Sequence, residues 1–231
     1  MQFSESARQW YESYSKNMES GLVGLLMGIS HKMMEKKFTE SYSFGRVLEL
    51  GATNPNHLTY VRHQFERYDI TDIESYSSLE KLHDRSEAGQ KKKISFSLAD
   101  AENLKNFDTD SIDRLIATCL ILHLSNPRKV LSEWRRVVNK DGGVLTFYVH
   151  CEPGAFLRFV RFIHTILMNR KSNYDHLSFV YREHLIHYLA IKYAVKEVFC
   201  DDKVKVTSFP FPLLSWNFNF WKIYQITLSK R

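Results

Sequence analysis

The run Arg46-Val47-Leu48-Glu49-Leu50-Gly51 is leucine-rich and β-branched, carries one carboxylate near its end and stops at a glycine. Such a segment reads as a buried strand, and the glycine beyond it lets a ligand approach the backbone while the following helix start offers free N–H groups. Asp72 lies 21 residues after Gly51, in Tyr68-Asp69-Ile70-Thr71-Asp72-Ile73. An acidic residue about 20 positions past a strand-ending glycine can accept both hydroxyl hydrogens of a ribose. Asp72 is the ribose candidate and Asp69 the alternative, and this spacing by itself serves several nucleoside cofactors. His123 and His150 fall at the ends of two later strands, where a neutral imidazole can take a proton from a reacting amine or hydroxyl. Strand-end and turn chemistry, or a structural histidine, accounts for each of these residues taken singly.

The elements that must position these residues follow from hydrophobic spacing. From Ser4 to Phe38 apolar residues recur three and four apart, which predicts two helices divided near Gly21 and Gly24. After the first strand come a helix over His57 to Phe65, strands at Arg67–Thr71, Ile94–Leu98 and Ile112–Thr118, and a short helix near Ser77–His83. Asn126 to Val138 reads as a helix with Pro127 in its first turn, and Asp141-Gly142-Gly143 turns into a fifth strand at Val144–Val149. This alternation predicts a parallel sheet with right-handed crossovers and a ligand at the carboxyl ends of its strands. Helices at Phe156–Met168 and Tyr181–Phe199 and strands at Val204–Phe209 and Phe220–Leu228 complete the chain.

The segment Val47 to His57, with Glu49-Leu50-Gly51-Ala52, resembles the nucleotide-binding motif of class I S-adenosylmethionine (SAM)-dependent methyltransferases. Of the family's three glycines only Gly51 remains, with Thr53 and Pro55 at the later positions. Leu98-Ala99-Asp100-Ala101-Glu102 resembles the family's acidic turn after the third strand, Ser111 to Leu124 its fourth strand and Asn139 to Leu145 the lead into its fifth. The resemblance implies that Gly51, Ala52, Asn54 and Glu49 meet the methionine end of SAM. It further implies that Asp72 meets the ribose and Asp100 the adenine amino group, with Ile73, Ala101 and Cys119 among the other cofactor contacts. Asp100 is also placed to cap the next turn. His57 is either a cofactor neighbour or a surface residue of the helix start. The implied fold is a seven-stranded, mostly parallel Rossmann-like sheet with helices on both faces. A helical lid (1–40), a SAM-binding core (46–150), an insertion with the last helix (151–203) and a closing hairpin (204–231) make one domain.

The family implies methyl transfer to nitrogen or oxygen of a small molecule, leaving S-adenosylhomocysteine, with His123 or His150 as base. Tyr14 of the lid, Arg158 and Arg161 of the insertion, and His184 or Arg182 are the candidate acceptor contacts. Trp10 and Tyr14 also read as a packed pair, and the helix from Phe156 to Lys171 as an acceptor cap, a dimer contact or a membrane-surface helix. His184 and His187 are three apart, but no third ligand supports a metal. Asp175 and His176 have no readable role.

Charge supports an anionic acceptor: residues 1–150 hold 20 basic and 20 acidic side chains, residues 151–231 hold 12 and 6. A nucleotide-linked sugar ranks first, a phospholipid head group second, and a non-catalytic scaffold is the alternative from a different class. Nucleic-acid methylation is excluded by the lack of an Asn/Asp-Pro-Pro-Tyr motif and of an appended basic domain. Three cysteines without a CxxC pair, no signal-peptide pattern and no bilayer-length apolar run predict a cytoplasmic protein; a monomer or homodimer is expected, with a membrane surface the less favoured partner.

Overall fold

The computed structural model describes residues 21–52, 56–73, 93–168 and 183–230. The expectations for Trp10, Tyr14, Thr53, Asn54, Pro55, the helix at 77–83, Asp175, His176, Tyr181 and Arg182 lie outside these residues.

Helix α1 (Gly21–Glu35) leads into β1 (Ser43–Leu50), and β2 (Gln64–Asp72), β3 (Ile94–Leu98), β4 (Arg114–Thr118), α2 (Pro127–Val137) and β5 (Val144–His150) follow. Next come α3 (Ala155–Met168), α4 (Tyr188–Val198), β6 (Lys203–Phe209) and β7 (Trp221–Thr227). The seven strands form one sheet in the order β3-β2-β1-β4-β5-β7-β6. All pairings from β3 to β5 are parallel, and β7 runs antiparallel to both β5 and β6.

Apolar residues on both faces of β1 explain its burial between two layers. Leu48 and Leu50 join a core with Trp134, Ile191 and Val195 from α2 and α4, while Val47 joins one with Met34 of α1. Parallel strands covered on both faces need side chains of this kind. Asn126 caps α2 by accepting the Lys129 N–H at 3.1 Å, with Pro127 at the first helical position.

Register puts the functional edge in a line. Leu50 pairs with Thr71 and with Ala117, Asp72 with Leu98, and Thr118 with Tyr148. The carboxyl ends of β3, β2, β1, β4 and β5 therefore share one side of the sheet, and the order reverses between β1 and β4, where such sheets bind ligands.

Three sequence expectations are corrected. Gly24 lies inside one unbroken helix rather than at a division; a glycine costs a helix only about 1 kcal/mol, which an apolar face readily offsets. The helix expected at 57–65 is a short 3-10 turn over Asn56–Tyr60, because Gln64 already enters β2 beside Ser43. The helix expected from Tyr181 starts at Tyr188, where the His187 ring accepts the Ala190 N–H.

Candidate active site

At the end of β1 the chain turns through Gly51 at φ +68°, and both Gly51 and Ala52 donate their N–H to the Thr71 carbonyl, at 2.9 and 3.2 Å. A side chain at Gly51 would meet Leu120 Cδ1 at 2.7 Å, so this strand end has room only for glycine. Ala52 is buried behind it. Asp72 ends β2, its Oδ1 accepting the Ile73 N–H at 2.7 Å, and Ile73 beside it is exposed. Asp100 follows β3 on the surface and accepts the Glu102 N–H at 2.8 Å, the turn-capping role. Ala101 belongs to the core, its carbonyl held by the Trp134 indole N–H at 2.9 Å.

Two acidic candidates are committed elsewhere. Glu49 is buried on the α1 side of the sheet and accepts the Tyr68 hydroxyl at 2.7 Å, and burial pushes its carboxyl up from the usual range. Asp69, the alternative ribose ligand, is taken up by Arg46 at 2.7 Å, Arg67 at 2.8 Å and Ser95. Asp72 is the carboxylate that closes β2, three residues beyond Asp69.

His57 is neither a surface residue nor an edge residue. Its Nε2–H donates to Glu35 Oε1 at 2.9 Å and its Nδ1 lies 2.8 Å from His31 Nδ1, all three groups buried. Arg114 of β4, fully buried, reaches both oxygens of Glu35, with its guanidinium 4.0 Å over the Phe38 ring. Burial alone would raise the Glu35 carboxyl, but the His57 hydrogen bond and the Arg114 charge hold it at about 2. This network fastens the far end of the loop after Gly51 to α1, and the sequence offered no local signal for it. Its members come from three separate elements, α1, the 3-10 turn and β4.

At the ends of β4 and β5 a second cluster forms. Cys119 adopts φ +55°, a strained conformation for a side-chain-bearing residue, and swings the chain into the turn Ile121–His123. Burial pushes its thiol up to about 12, so it stays protonated. Residues 183–188 are tied across these strand ends: Leu185 N–H donates to Leu122 O at 2.8 Å and Tyr188 N–H to Glu152 O at 2.8 Å. His123 Nδ1–H donates to Glu183 O at 3.1 Å, and its ring centre is 4.8 Å from that of His184. His150 stacks 6.2 Å from His184.

His184 donates Nδ1–H to Glu152 Oε2 at 2.6 Å, while Arg161 of α3 pairs with Glu152 Oε1. Burial would raise Glu152, yet the His184 hydrogen bond and the Arg161 charge bring it to about 2. Burial first and the neighbouring charge of His184 second lower His123 to about 4; burial and then Arg161 lower His150 to about 3. Both rings are therefore neutral near pH 7. His150 Nδ1 is buried with no partner among the described residues, an open hydrogen-bonding position at the strand edge.

The structure thus brings His123, His150, His184 and Arg161 together with Cys119, and leaves Arg158 exposed on the outer side of α3. Glu152 was missed; its place two residues after His150, just past a strand end, was the available signal. Gly51, Asp72 and Asp100 lie along neighbouring strand ends, with a carboxylate at Asp72 and a turn at Asp100 of the kind that a nucleoside cofactor such as SAM would use. The residues fit that cofactor. A groove of about 620 Å³ between α4 and β6–β7 is lined by Lys192, Lys196 and Lys222 and by Tyr188, whose N–H is held by the Glu152 carbonyl.

Residues 48–146 match the family model described as a methyltransferase domain. The thiol S-methyltransferase TMT1B of Rattus norvegicus is 30% identical over 141 residues, which are 56% of this chain and 56% of that protein. The chain thus aligns with just over half the length of that relative. A solved putative SAM-dependent methyltransferase from Methanococcus maripaludis superposes with a TM-score of 0.62 at 13% identity, covering 100% of this chain and 97% of its own. Phosphoethanolamine N-methyltransferase 2 of Haemonchus contortus, solved in complex with SAM, gives 0.58 at 13% identity over 87% and 52%. Residues 48–146 thus match a methyltransferase domain, and the sheet has the fold of solved SAM-dependent methyltransferases.

Proposed function

We propose that the chain binds SAM along the ends of β1 to β3 and transfers its methyl group to a small, uncharged acceptor held at the ends of β4 and β5, a thiol first. The observation that carries this reading is the Glu152–His184 pair beside two neutral histidines. When bound, SAM supplies a methyl group already made electrophilic by its sulfonium. The protein's own work is then to align the acceptor, exclude water and receive one proton.

Glu152 accepts Nδ1–H from His184 and so keeps Nε2 as the basic nitrogen, facing whatever proton the acceptor releases. Arg161 holds the other oxygen of Glu152, so the carboxylate stays ionised and positions the ring rather than taking the proton itself. His123 and His150, with much lowered basicity, line the position as neutral hydrogen-bonding groups.

The anionic acceptor expected from composition loses support. Arg161, the guanidinium at this cluster, is already matched by Glu152. A thiol needs no cationic clamp, and the thiol S-methyltransferase relative agrees with that choice.

Calorimetric titration with SAM and S-adenosylhomocysteine tests the cofactor half. Micromolar binding is expected, weakened at least about tenfold (a loss of one ribose contact) in Asp72→Ala. A folded protein that binds neither compound overturns the enzyme reading and leaves a scaffold role. Methylation of a small thiol such as dithiothreitol tests the acceptor half: His184→Gln is expected to lower kcat about 100-fold with SAM affinity unchanged. SAM binding without thiol turnover overturns the thiol assignment alone.

A further inference from the structure

Helix α3 presents an exposed face that water does not favour. Phe159 and Phe162 are 62% and 57% exposed, and Ile163 and Ile166 are exposed beside them. These positions follow the i, i+3, i+4, i+7 spacing of a single helical stripe. The opposite side of the same helix buries Leu157 and supplies Arg161 to Glu152, so the stripe is not a misplaced core face.

A second element extends it. The segment between β6 and β7, Pro210-Phe211-Pro212-Leu213-Leu214-Ser215-Trp216-Asn217-Phe218-Asn219-Phe220, has no charged residue. It is fixed to α3 by the rings of Phe156 and Phe211 at 5.6 Å and of Phe156 and Phe220 at 4.9 Å. At its tip Leu213 is 99% exposed, with Leu214 half exposed next to it. Soluble monomers rarely leave so many large apolar side chains together on the surface, and such patches mark a docking face.

We infer that this surface, the outer stripe of α3 with the Leu213–Leu214 tip, seats the protein on the face of an anionic lipid bilayer. Shape and charge choose the occupant. Leu213 is a protrusion, not the rim of a groove, and a protruding side chain loses its water most fully in a medium that closes around it, as acyl chains do. The helix Ala155–Met168 and the 210–220 segment contain no Asp or Glu, and Arg158 stands exposed alongside the stripe. An interfacial helix combines these features: an apolar face at the acyl boundary and basic residues at the level of the head groups. Among the described residues no helix is long and apolar enough to cross a membrane. This inference does not depend on which acceptor is methylated. It does bring the helix that carries Arg161 to the lipid surface.

Sedimentation of the full chain with vesicles tests it, comparing phosphatidylcholine alone with a 7:3 mixture of phosphatidylcholine and phosphatidylserine. The protein is expected to pellet with the mixed vesicles, and the variant Phe159→Gln/Phe162→Gln/Leu213→Gln to bind them at least tenfold more weakly. All three side chains are exposed, so its melting temperature is expected to match the parent, which separates lost docking from lost folding. No binding to the mixed vesicles, or equal binding by the variant, overturns the inference. So does a lipid-free dimer in sedimentation velocity that the same variant dissociates, since a second copy would then be the occupant.

Discussion

Arg114 and Glu35 are the residues on which the interior depends most. Each is at most 1% exposed, and they meet two charge-assisted hydrogen bonds deep between α1 and β4. A buried pair of this kind adds little net stability compared with apolar residues of the same size, but losing one partner strands a charge. Arg114→Met is therefore expected to lower the unfolding free energy by about 3–5 kcal/mol in urea titration. Glu35→Leu added to it is expected to restore part of that loss. The remainder reflects the His57 Nε2–H, which then has no acceptor. Such a network is invisible to local pattern reading. His57 drew attention as the first helical residue after a glycine loop, whereas its ring is spent on Glu35 and His31, 22 and 26 positions earlier. The same holds at the acceptor cluster, where His184 was legible as a pocket residue but Glu152, which orients it, was not. Its role depends on residues 32 positions away.

At the scale of elements, the junction of β1 with the loop after it governs the cofactor edge. Gly51 combines a positive φ with a side-chain position already filled by Leu120, the residue that follows the strained Cys119 turn of β4. Two strand ends thus interlock at the point where sheet order reverses. Gly51→Ala is expected to cost about 1–3 kcal/mol of stability and to abolish SAM binding in calorimetry. Adding Leu120→Ala relieves the contact but not the backbone conformation, so stability is expected to recover only in part. Strand positions were readable here because each strand is a short apolar run closed by a turn residue. Boundaries were less readable where pairing decided them. Gln64 to Glu66 lack a strand's apolar pattern, and Gln64 and Phe65 are in β2 because Ser43 and Phe44 lie beside them to receive the hydrogen bonds. Likewise the start of α4 follows from His187 capping Ala190 and from the tethering of 185–188 to Leu122 and Glu152, not from helical spacing.

At the scale of the whole molecule, buried histidines make stability depend on pH. Burial is the leading cause that lowers His31 to about 3, His63 to about 4, His123 to about 4 and His150 to about 3. Unfolded, each titrates near 6.5, so between that value and its folded value the unfolded chain binds the extra proton. Their contribution is fully present above pH 6.5 and is lost as pH falls, at a limiting slope of about 1.4 kcal/mol per pH unit for each histidine. Glu35 and Glu152, held at about 2, act in the same direction lower down, their contribution being lost from about pH 4.5 toward 2. Glu49, raised by burial, acts in the opposite direction. The urea midpoint is expected to fall steadily from pH 7 to pH 4, and a midpoint independent of pH in that range would show that these rings remain solvated.

The sequence by itself determined the succession of strands, because hydrophobic period and turn residues are written within short stretches of chain, and the order of its motifs carried the resemblance to methyltransferases. Only the tertiary structure decided which carboxylates stay at the edge, which histidine is oriented and which apolar helix face is left to solvent. Those outcomes depend on desolvation and on partners that folding brings from distant elements, and neither is a property of a local segment.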